Sequence, residues 1–345
     1  MMTVLITGGS GFLGRYFCER LIGGGRDVVL LDTSVPTWPL DGTRFVHGDV
    51  RDPLAVRAAL RNCEGVIHLA AAHHDFGIAP QTYFDVNEGG SRVLVEEMER
   101  AGVSRLCFYS SAAVYGDPSV PRVEHVPPSP ASPYGRSKLA AEEVCRLWAG
   151  RSDGRRALVI RPSVVFGPRN YANVYTLMRQ IRLGLYLPIG PGTNLKSMAY
   201  VENLIDATLY VWERTDLPAF DVYNYVDLPD LTSREICDAI ADALGKRPPS
   251  LHLPLGLALM LAAPFDAVIR LTGRNLPISS ARVRKLAVHQ TKLDAEKIRA
   301  AGFVASIPLR EGIRRMAEWV ATEGRRKNGE IPLTPPLSAE RTCAQ

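Results

Sequence analysis

The chain has 345 residues, of which 46% are apolar, 22% are charged and 8% are aromatic. These values are ordinary for globular proteins and exclude a collagenous, low-complexity or wholly disordered chain. The length suits one large or two modest domains with a buried core. The formal net charge of +5 is spread along the chain, whereas nucleic-acid-binding proteins usually concentrate basic residues on one element. We therefore expect no nucleic-acid partner. The mild positive excess favours a small anionic substrate.

Cysteine spacing and hydropathy indicate the compartment. The six cysteines show no C-x-x-C and no metal-type spacing, which predicts reduced thiols and no metal site. The first residues lack the basic and apolar regions of a signal peptide. The longest apolar stretch, residues 253–265, has 13 residues and contains Pro254, Gly256 and Pro264, so it is too short to span a bilayer. The sequence therefore predicts a cytoplasmic protein without a membrane span.

The first half of the chain alternates between two hydrophobic periods. Short apolar strands are predicted at residues 3–6, 27–31, 44–46, 65–69, 105–109 and 157–160. Helical patterns are predicted through residue 21 and at residues 53–60, 82–101 and 132–149. Fully apolar strands that alternate with helices are typical of a parallel sheet covered on both sides. We therefore predict an α/β fold with a doubly wound parallel Rossmann sheet.

Beyond residue 161 the pattern is less regular. Helices are predicted at residues 174–183, 201–212, 233–244 and 309–321. We predict a Rossmann domain over residues 1–165 with return segments near 195–225, a smaller mixed, mostly helical C-terminal substrate lobe over 166–323, and a disordered tail over 324–345. The apolar segment 251–271 is interpreted as an ordinary core helix, with an apolar substrate pocket or an interfacial helix as the alternatives.

Three glycines mark a phosphate-binding turn between the first strand and the first helix. Gly8 would permit the tight turn, Gly11 would let a pyrophosphate approach the backbone, and Gly14 would allow close helix packing. The helix N-terminus then offers N–H groups and a positive dipole end to the phosphates. Asp32 ends the second strand 18 residues after Gly14, where its carboxylate would accept from the adenosine ribose hydroxyls and repel a 2′-phosphate. Because no Arg follows Asp32, the motif favours NAD over NADP.

A tyrosine and a lysine four residues apart begin the helix after the fifth strand. Tyr134 and Lys138 would share one helix face, and Ser111 lies at the C-terminal end of the fifth strand. Ligands of doubly wound sheets bind beside the carboxyl ends of the strands, so these three groups can converge there. A phenol with a pKa of about 10 is a poor base at neutral pH, but a nearby ammonium and a cationic nicotinamide both favour its anion. Ser111 would donate to the substrate oxygen or hold it in place.

Several ordered motifs give the chain a family resemblance. They are TGGSGFLG at 7–14, GDV at 48–50, HLAA at 68–71, Asn87, SSAAVYG at 110–116, YGRSK at 134–138, and Arg161-Pro162 with Gly167-Pro168. Over about residues 2–320, the chain resembles the extended short-chain dehydrogenase/reductase family, specifically its nucleotide-sugar epimerase/dehydratase group. The resemblance implies Tyr134 as the base, Lys138 on the nicotinamide ribose and Ser111 as the second polar anchor. It also implies that NAD is bound by Gly8, Gly11, Phe12, Leu13, Gly14, Asp32, Asp49, Val50, Leu69, Ala70 and Ala71, together with Tyr134 and Lys138.

The resemblance further implies a substrate site and a partner. Asn173 lies where related epimerases place an Asn near the substrate pyrophosphate, and Lys196 takes the place of a phosphate-binding Arg without offering its bidentate fork. Asp75 is a possible sugar contact, with an ordinary surface loop as the alternative. Segments beyond residue 272 look like those of enzymes from surface-polysaccharide biosynthesis, which favours a sugar nucleotide. The family also implies a homodimer formed through the helices near 82–101 and 133–149.

Two alanines after Ser111 bear on the type of reaction. In the family's 4,6-dehydratases an Asp-Glu pair follows this position and transfers protons, whereas this chain has Ala112 and Ala113. We therefore predict an NAD-dependent nucleotide-sugar epimerase or 4-ketoreductase that transfers a hydride at a sugar hydroxyl carbon.

Two alternatives stay open. Val164 stands where many nucleotide-sugar members have Asn, and Arg161-Pro162 also resembles the 3β-hydroxysteroid dehydrogenase branch, whose substrates are apolar. The other alternative is a non-catalytic NAD-sensing protein, although such a protein has no need to keep Ser111, Tyr134 and Lys138 together.

Overall fold

The computed structural model describes residues 3–38, 41–73, 78–116, 122–249, 251–272, 279–287 and 290–324. Its largest element is a seven-stranded sheet in which every neighbouring pair is parallel. The strands follow one another across the sheet as β3 (Thr43–His47), β2 (Asp27–Asp32), β1 (Thr3–Thr7), β4 (Gly65–His68), β5 (Arg105–Tyr109), β6 (Arg156–Pro162) and β9 (Phe220–Tyr225). The strand order reverses between β1 and β4, and a doubly wound sheet leaves its ligand crevice at such a point.

Helices cover both faces of this sheet, which explains why its strands are apolar throughout. On β1, Val4 and Ile6 belong to one buried cluster and Leu5 to the other. The helices of the first face are α1 (Phe12–Gly23) and α7 (Val201–Trp212), and those of the second are α2 (Pro53–Ala59), α4 (Gly90–Ala101) and α5 (Pro133–Ala149). This arrangement confirms the predicted doubly wound fold.

The helix predicted at 82–101 is longer and less regular than its sequence pattern. It begins with α3 (Pro80–Tyr83), continues as a π-helix (Phe84–Gly89) and becomes α4. The π-turn was not predicted, because one wider turn barely changes the spacing of apolar residues. Such turns often lie at functional sites. This one contains Asn87, which is 1% exposed.

The second half of the chain contains four strands that were not predicted. β9 joins the large sheet, and the other three form a small sheet of β10 (Asp227–Thr232), β8 (Leu195–Tyr200) and β7 (Val164–Phe166), with β10 antiparallel and β7 parallel to β8. The predicted helices are present, within one or two residues, as α6 (Asn173–Arg182), α7, α8 (Ser233–Ala243) and α12 (Leu309–Thr322). Three further helices are α9 (Leu255–Thr272), α10 (Ser280–Ala287) and α11 (Glu296–Ala300).

Strand β9 lies within the return segments predicted near 195–225, and it pairs with β6 over Ala157–Pro162. The division of the chain at residue 165 stays a prediction. Of the predicted tail, only Gly324 lies within the described residues. Within the described ranges, no helix combines the length and the apolarity needed to cross a membrane.

Most of the apolar segment 251–271 forms helix α9, and only one face of this helix is packed. Ala258 and Ala262 are buried in a small cluster with Val283 of α10. Other large apolar side chains of α9 are exposed, including Met260 and Leu261. The interpretation as an ordinary core helix therefore holds for one face of α9 and is wrong for the other.

Candidate active site

The glycine-rich turn brings the end of β1 against the chain that leaves β4. Gly8 has a φ of +67°, and a Cβ at this position would lie 2.7 Å from the backbone N of Ala70. Only glycine fits such a crossing without strain. A Cβ on Gly14 would overlap the carbonyl oxygen of Gly9, so α1 packs directly on the turn. Gly11 is the N-cap of α1 and provides no side-chain hydrogen bond, which leaves the first N–H groups of α1 without a side-chain acceptor.

Asp32 lies at the carboxyl end of β2, beside this turn. Its Oδ2 accepts a hydrogen bond from the backbone N–H of Ser10, and its Oδ1 accepts one from the N–H of Ser34, each at 3.0 Å. The carboxylate therefore holds the turn in place. Each oxygen keeps a second lone pair, so Asp32 can still accept from ribose hydroxyls. Its role in cofactor choice stays a prediction.

The other residues predicted to contact NAD lie on the first turn of α1 and on the loops after β3 and β4. Phe12 and Leu13 begin α1 and are half-buried. The carboxylate of Asp49 is 2.7 Å from the Arg51 guanidinium, whose hydrogen bonds hold the pKa of Asp49 below its usual range. Val50 is buried, and a Cβ on Gly90 would lie 2.6 Å from Val50 Cγ1. The contacts of Asp49 and Val50 with adenine stay predictions.

The chain that follows β4 is half-buried at Leu69, Ala70 and Ala71. A buried asparagine holds the backbone just beyond these residues. Asn87 Oδ1 accepts from the N–H of Ala72 at 2.8 Å, and its Nδ2 donates to the Ala72 carbonyl at 3.1 Å. The same Nδ2 donates to Ser137 Oγ at 2.9 Å. One side chain thus joins the exit of β4 to the second turn of α5.

His68, the last residue of β4, is buried and neutral. Its Nδ1 is 2.6 Å from Thr7 Oγ1 and its Nε2 is 3.0 Å from Ser91 Oγ. Burial, with a smaller contribution from the charge of Lys138, lowers the pKa of His68 to about 3. His68 therefore serves as a neutral link between β1, β4 and α4, and it does not titrate near pH 7.

The predicted base and lysine lie one turn apart at the start of α5. Ser132 is the N-cap of this helix, with its side chain accepting from Gly135 N–H at 3.0 Å, and Pro133 occupies the first turn. Tyr134 is half-buried, with its ring 6.1 Å from that of Tyr83. Lys138 is 3% exposed, and its Nζ donates to the Tyr109 carbonyl, at the carboxyl end of β5, at 2.8 Å. Burial lowers the pKa of Lys138 to about 8.

The structure brings Ser111 to the same place. Ser111 is the N-cap of a 3₁₀ helix (Ala112–Tyr115), and its Oγ accepts from Ala113 N–H at 3.1 Å. A Cβ on Gly135 would overlap the carbonyl oxygen of Ala113, so the start of α5 packs directly on this short helix. Because Lys138 binds the backbone two residues before Ser111 and Gly135 packs two residues after it, the segments that carry the three predicted catalytic residues lie side by side at one corner of the sheet.

A buried ion pair lies below this corner. The guanidinium of Arg161 binds the Glu142 carboxylate through two hydrogen bonds, of 2.5 and 2.9 Å, and both side chains are about 95% buried. Glu142 also accepts from the hydroxyl of Ser110, and Arg161 donates to Tyr115 OH at 2.9 Å. The pair therefore holds both ends of the segment that carries Ser111. Burial on its own lowers the pKa of Arg161, but the hydrogen bonds and charge of Glu142 outweigh it and raise the pKa overall.

The predicted substrate residues lie farther along the chain. Asn173 is exposed at the start of α6. Lys196 is half-buried in β8, between Leu231 of β10 and Thr291. Asp75 lies outside the described residues. Nothing in these positions tests their contacts with a substrate, so all three stay predictions.

Sequence reasoning missed three features of this site, which are the contacts of Asn87, the Arg161–Glu142 ion pair and the buried hydroxyl of Ser163. Asn87 and Arg161 were noted as family motifs without a role, and Glu142 was not singled out. A helical polar residue one turn after Lys138, on a helix whose neighbours at 141, 144 and 145 are apolar, could have indicated the buried carboxylate. The third feature is the Ser163 hydroxyl just after β6, which is buried without a hydrogen bond within the described part of the chain.

The turn fits a dinucleotide on its own geometry. The backbone cradle at Gly8 would be filled by a Cβ, the N-terminus of α1 has no side-chain cap, and the Asp32 carboxylate closes the second strand. The cradle at Gly8 would give room for a pyrophosphate, and the N-terminus of α1 would bind its negative charge. The Asp32 carboxylate would accept hydrogen bonds from the ribose hydroxyls.

Comparison with known proteins identifies the family. Residues 4–225 match the NAD dependent epimerase/dehydratase family. The chain belongs to this family. Over 92% of its length, covering 94% of the relative, it is 38% identical to N-acetyl-alpha-D-glucosaminyl-diphospho-ditrans,octacis-undecaprenol 4-epimerase of Escherichia coli O157:H7. It is also 40% identical to UDP-glucose 4-epimerase of Streptomyces lividans, over 79% of this chain and 82% of that one.

A solved structure agrees with these relatives. The UDP-glucose 4-epimerase of Thermus thermophilus in complex with NAD superposes with a TM-score of 0.73 at 27% identity, covering 93% of this chain and 100% of that one. The chain is thus an NAD-dependent epimerase of the extended short-chain dehydrogenase type. This confirms NAD as the cofactor and the nucleotide-sugar epimerase group as the predicted class.

Proposed function

We propose that this epimerase inverts C4 of a hexose that is attached to a diphosphate. The observation that supports this most directly is that the start of α5, with Tyr134 and Lys138, packs against the segment with Ser111 at the carboxyl edge of β5. Ala112 and Ala113 stand in that segment where a water-eliminating enzyme needs acids. A methyl side chain cannot transfer a proton. A single proton acceptor and a hydride acceptor suffice for epimerisation.

The roles of the residues follow from their positions. Bound NAD supplies the reversible hydride acceptor at the sugar carbon. The Tyr134 oxygen accepts the proton of the C4 hydroxyl and returns it when the hydroxyl forms again on the other side of the ring. The positive charge of Lys138, one turn away, favours the phenolate form of Tyr134. Ser111 donates a hydrogen bond to the same sugar oxygen and holds it against the base.

The remaining predicted residues bind the ends of the two ligands. Gly8, Gly11, Gly14 and Asp32 would hold the adenosine half of NAD, with Phe12, Leu13, Asp49, Val50 and Leu69 to Ala71 lining its channel. Asn173 and Lys196 would contact the substrate diphosphate. The named relatives carry their sugar either on UDP or on undecaprenol, and both carriers present a diphosphate. We therefore propose this shared group as what the enzyme recognises beside the sugar.

The test is product analysis by NMR with purified protein and no added reductant. UDP-glucose, UDP-GlcNAc and a GlcNAc diphosphate with a prenyl chain are incubated separately in deuterated water. We expect the C4 epimer of one of them, with no deuterium at C5 or C6, because a C4 hydride cycle exchanges no carbon-bound proton with solvent. A 4-keto-6-deoxy product, or deuterium at either carbon, would show that an acid elsewhere has replaced the missing pair. A strict need for added NADH would indicate the 4-ketoreductase instead.

We also propose a cytoplasmic homodimer. The dimer contact would involve the helices near 82–101 and 133–149, and its support is the family resemblance and the 48% exposed Leu147 on α5. The cytoplasmic location is supported by the five described cysteines, which are all free and buried. Light scattering tests the dimer: Leu147→Glu should shift a dimeric wild type toward monomer, whereas a monomeric wild type would contradict this proposal.

A further inference from the structure

Helix α9 has an apolar face that nothing in the described part of the chain covers. Six large side chains of this helix are exposed, by 38% to 86%: Leu257, Met260, Leu261, Phe265, Val268 and Leu271. At 3.6 residues per turn they fall within an arc of about 140°. The rest of the circumference contains Ala258 and Ala262, which are buried. We call the six residues the apolar face of α9. An ordinary surface helix has polar residues there.

A second exposed apolar segment leads into the same place. Leu183, Leu185 and Leu187 follow α6 and are exposed by 53%, 73% and 42%. The next residue, Pro188, accepts a backbone hydrogen bond from Leu253 at 2.8 Å, two residues before α9 begins. Together with Leu251, these two segments hold ten of the eighteen large exposed hydrophobic side chains among the described residues. A concentration of this kind marks an interaction surface.

The basic charge of the protein is concentrated in the stretch of sequence that contains α9 and α10, contrary to the even spread suggested by the whole chain. Residues 244–293 contain one acidic residue, Asp266, and eight basic ones: Lys246, Arg247, Arg270, Arg274, Arg282, Arg284, Lys285 and Lys292. Since the net charge of the chain is +5, the rest of the protein is slightly acidic. Lys246, Arg247, Arg284 and Lys292 are exposed. Asp266 is half-buried and accepts from Ser280 N–H at 3.0 Å, off the apolar face.

We propose that the apolar face of α9 inserts into the surface of an anionic lipid bilayer, and that the sugar diphosphate is carried by a polyprenyl chain in that bilayer. An in-plane helix with apolar side chains on one face and basic residues around it is the standard form of an interfacial anchor. A second copy fits the face poorly, because two surfaces with the same excess of basic charge would repel each other. The carrier in this proposal rests on the proposed function, whereas the docking surface does not.

The attachment of α9 and α10 explains why a membrane contact would bear on the substrate. Their hairpin is anchored at both ends to one short segment of the chain: Leu253 bridges Ile189, and Thr291 bridges Lys196. Thr291 N–H also donates to the Leu195 carbonyl at 3.0 Å. Lys196 is the residue predicted to contact the substrate diphosphate. A lipid surface seated on α9 would therefore hold a lipid-linked diphosphate close to the strand that binds it.

The docking surface is tested by flotation of the full-length protein with vesicles. We expect binding to phosphatidylcholine vesicles that contain about 30% phosphatidylglycerol to exceed binding to pure phosphatidylcholine by at least about tenfold, and to weaken when salt is raised from about 0.1 to 0.5 M. Equal or undetectable binding to both vesicles would overturn the proposal.

Exposed residues allow a matched pair of variants. Met260→Gln, Leu261→Gln and Phe265→Gln together remove half of the apolar face, while Leu54→Gln with Val304→Gln changes side chains that are 70% and 83% exposed elsewhere. We expect the first variant to lose vesicle binding by at least about tenfold and the control to keep it, both with unchanged melting temperature. Unchanged vesicle binding, with a change in oligomeric state instead, would assign the face to a second copy and refute the proposal.

The link to the substrate is tested with one sugar diphosphate on two carriers. On a short, water-soluble prenyl chain the triple variant should turn over like the wild type. On a long polyprenyl chain in anionic vesicles its turnover should fall by at least about tenfold. Equal turnover of both proteins in vesicles would refute the polyprenyl carrier. If the wild type bound vesicles but turned over no sugar diphosphate, the proposed function would fail and the docking surface would stand.

Discussion

Asn87 and Ser137 are fifty residues apart in the chain, and a buried hydrogen bond of 2.9 Å joins their side chains. Ser137 Oγ in turn donates to the carbonyl of Tyr134 at 2.8 Å. The π-turn that contains Asn87 is thus coupled to the backbone of the proposed base. Asn87 is a positioning residue, since its amide contacts the protein backbone at Ala72 and the helix that carries Tyr134.

Replacing Asn87 should therefore affect both stability and turnover. Asn87→Ala leaves the N–H and carbonyl of Ala72 and the hydroxyl of Ser137 without this partner. We expect the free energy of unfolding to fall by about 2–4 kcal/mol and kcat to fall by at least about tenfold, with KM changing less. The control is Gln81→Ala, which removes an exposed hydrogen bond on the preceding helix. A loss of stability without any loss of kcat would refute the positioning role.

Glu142 and Glu143 are neighbours in the sequence with opposite environments. Glu142→Gln would leave the buried Arg161 guanidinium without its counter-charge, and removal of one partner of a buried pair costs about 3–5 kcal/mol. Glu143 pairs with Arg146 on the surface, so Glu143→Gln should change the free energy of unfolding by less than about 0.5 kcal/mol. Urea denaturation of both variants gives the comparison. Similar losses in the two would contradict the assignment of Arg161 to the Glu142 carboxylate.

Tyr134→Phe removes the proposed proton acceptor and keeps the ring. We expect turnover to fall by at least about a hundredfold, while NAD binding measured by calorimetry is retained. Tyr210→Phe is the control, because its hydroxyl donates to the Ala301 carbonyl and does not contact the residues of the site. Near wild-type turnover of the Tyr134 variant would exclude this residue as the base.

Lys138 should give the cofactor-free protein a measurable pH dependence of stability. Its pKa is lowered to about 8 by burial, against about 10.4 in an unfolded chain. Between these values the unfolded chain binds more protons than the folded protein, so stability rises with pH in this window. Lys138→Met lacks this titration. We expect the wild type to gain about 2 kcal/mol relative to this variant between about pH 7 and pH 9.5. A constant difference between the two proteins would show that the Lys138 pKa is not lowered.

Asp32 should control the choice between NAD and NADP. Asp32→Ala removes the carboxylate that would repel a 2′-phosphate, and it also removes the acceptor for the Ser10 and Ser34 N–H groups. We therefore expect a weaker preference for NAD together with lower affinity for both cofactors. Gly11→Val should abolish binding of either. Calorimetry with the two cofactors measures this, and tighter binding of NADP by the wild type would show that Asp32 does not exclude the phosphate.

The sequence identified those parts of the fold and site whose causes are local. The glycine turn, Asp32 and the Tyr134–Lys138 spacing lie within single strand–turn–helix units, where the residue types themselves dictate the geometry. Strands β8 and β9 were missed because residues such as Lys196, Ser197, Asp221 and Asn224 interrupt their apolar pattern, and only pairing with neighbours makes them strands.

The remaining features depend on contacts between distant segments. The partners of Asn87 and Glu142 lie 15 to 50 residues away, and no periodicity reports such pairs. Helix α9 could not be interpreted from its composition either. Its apolar residues lie on more than one face, so the sequence pattern gives no indication of which face packs on the protein.

Strand β9 is hydrogen-bonded along β6, so the border of the large sheet comes from a part of the chain beyond residue 165. In a fragment ending at that residue, β6 would become the edge strand of the sheet. Its unpaired N–H and carbonyl groups could then form hydrogen bonds with a strand of another molecule. We therefore expect no stably folded fragment when the chain is divided at the end of its nucleotide-binding half, whether in a gene fusion, in a split reporter or by limited proteolysis. The second half of the chain thus supplies the outer strand for the sheet of the first half, and β6, which is buried in the intact protein, depends on it for cover.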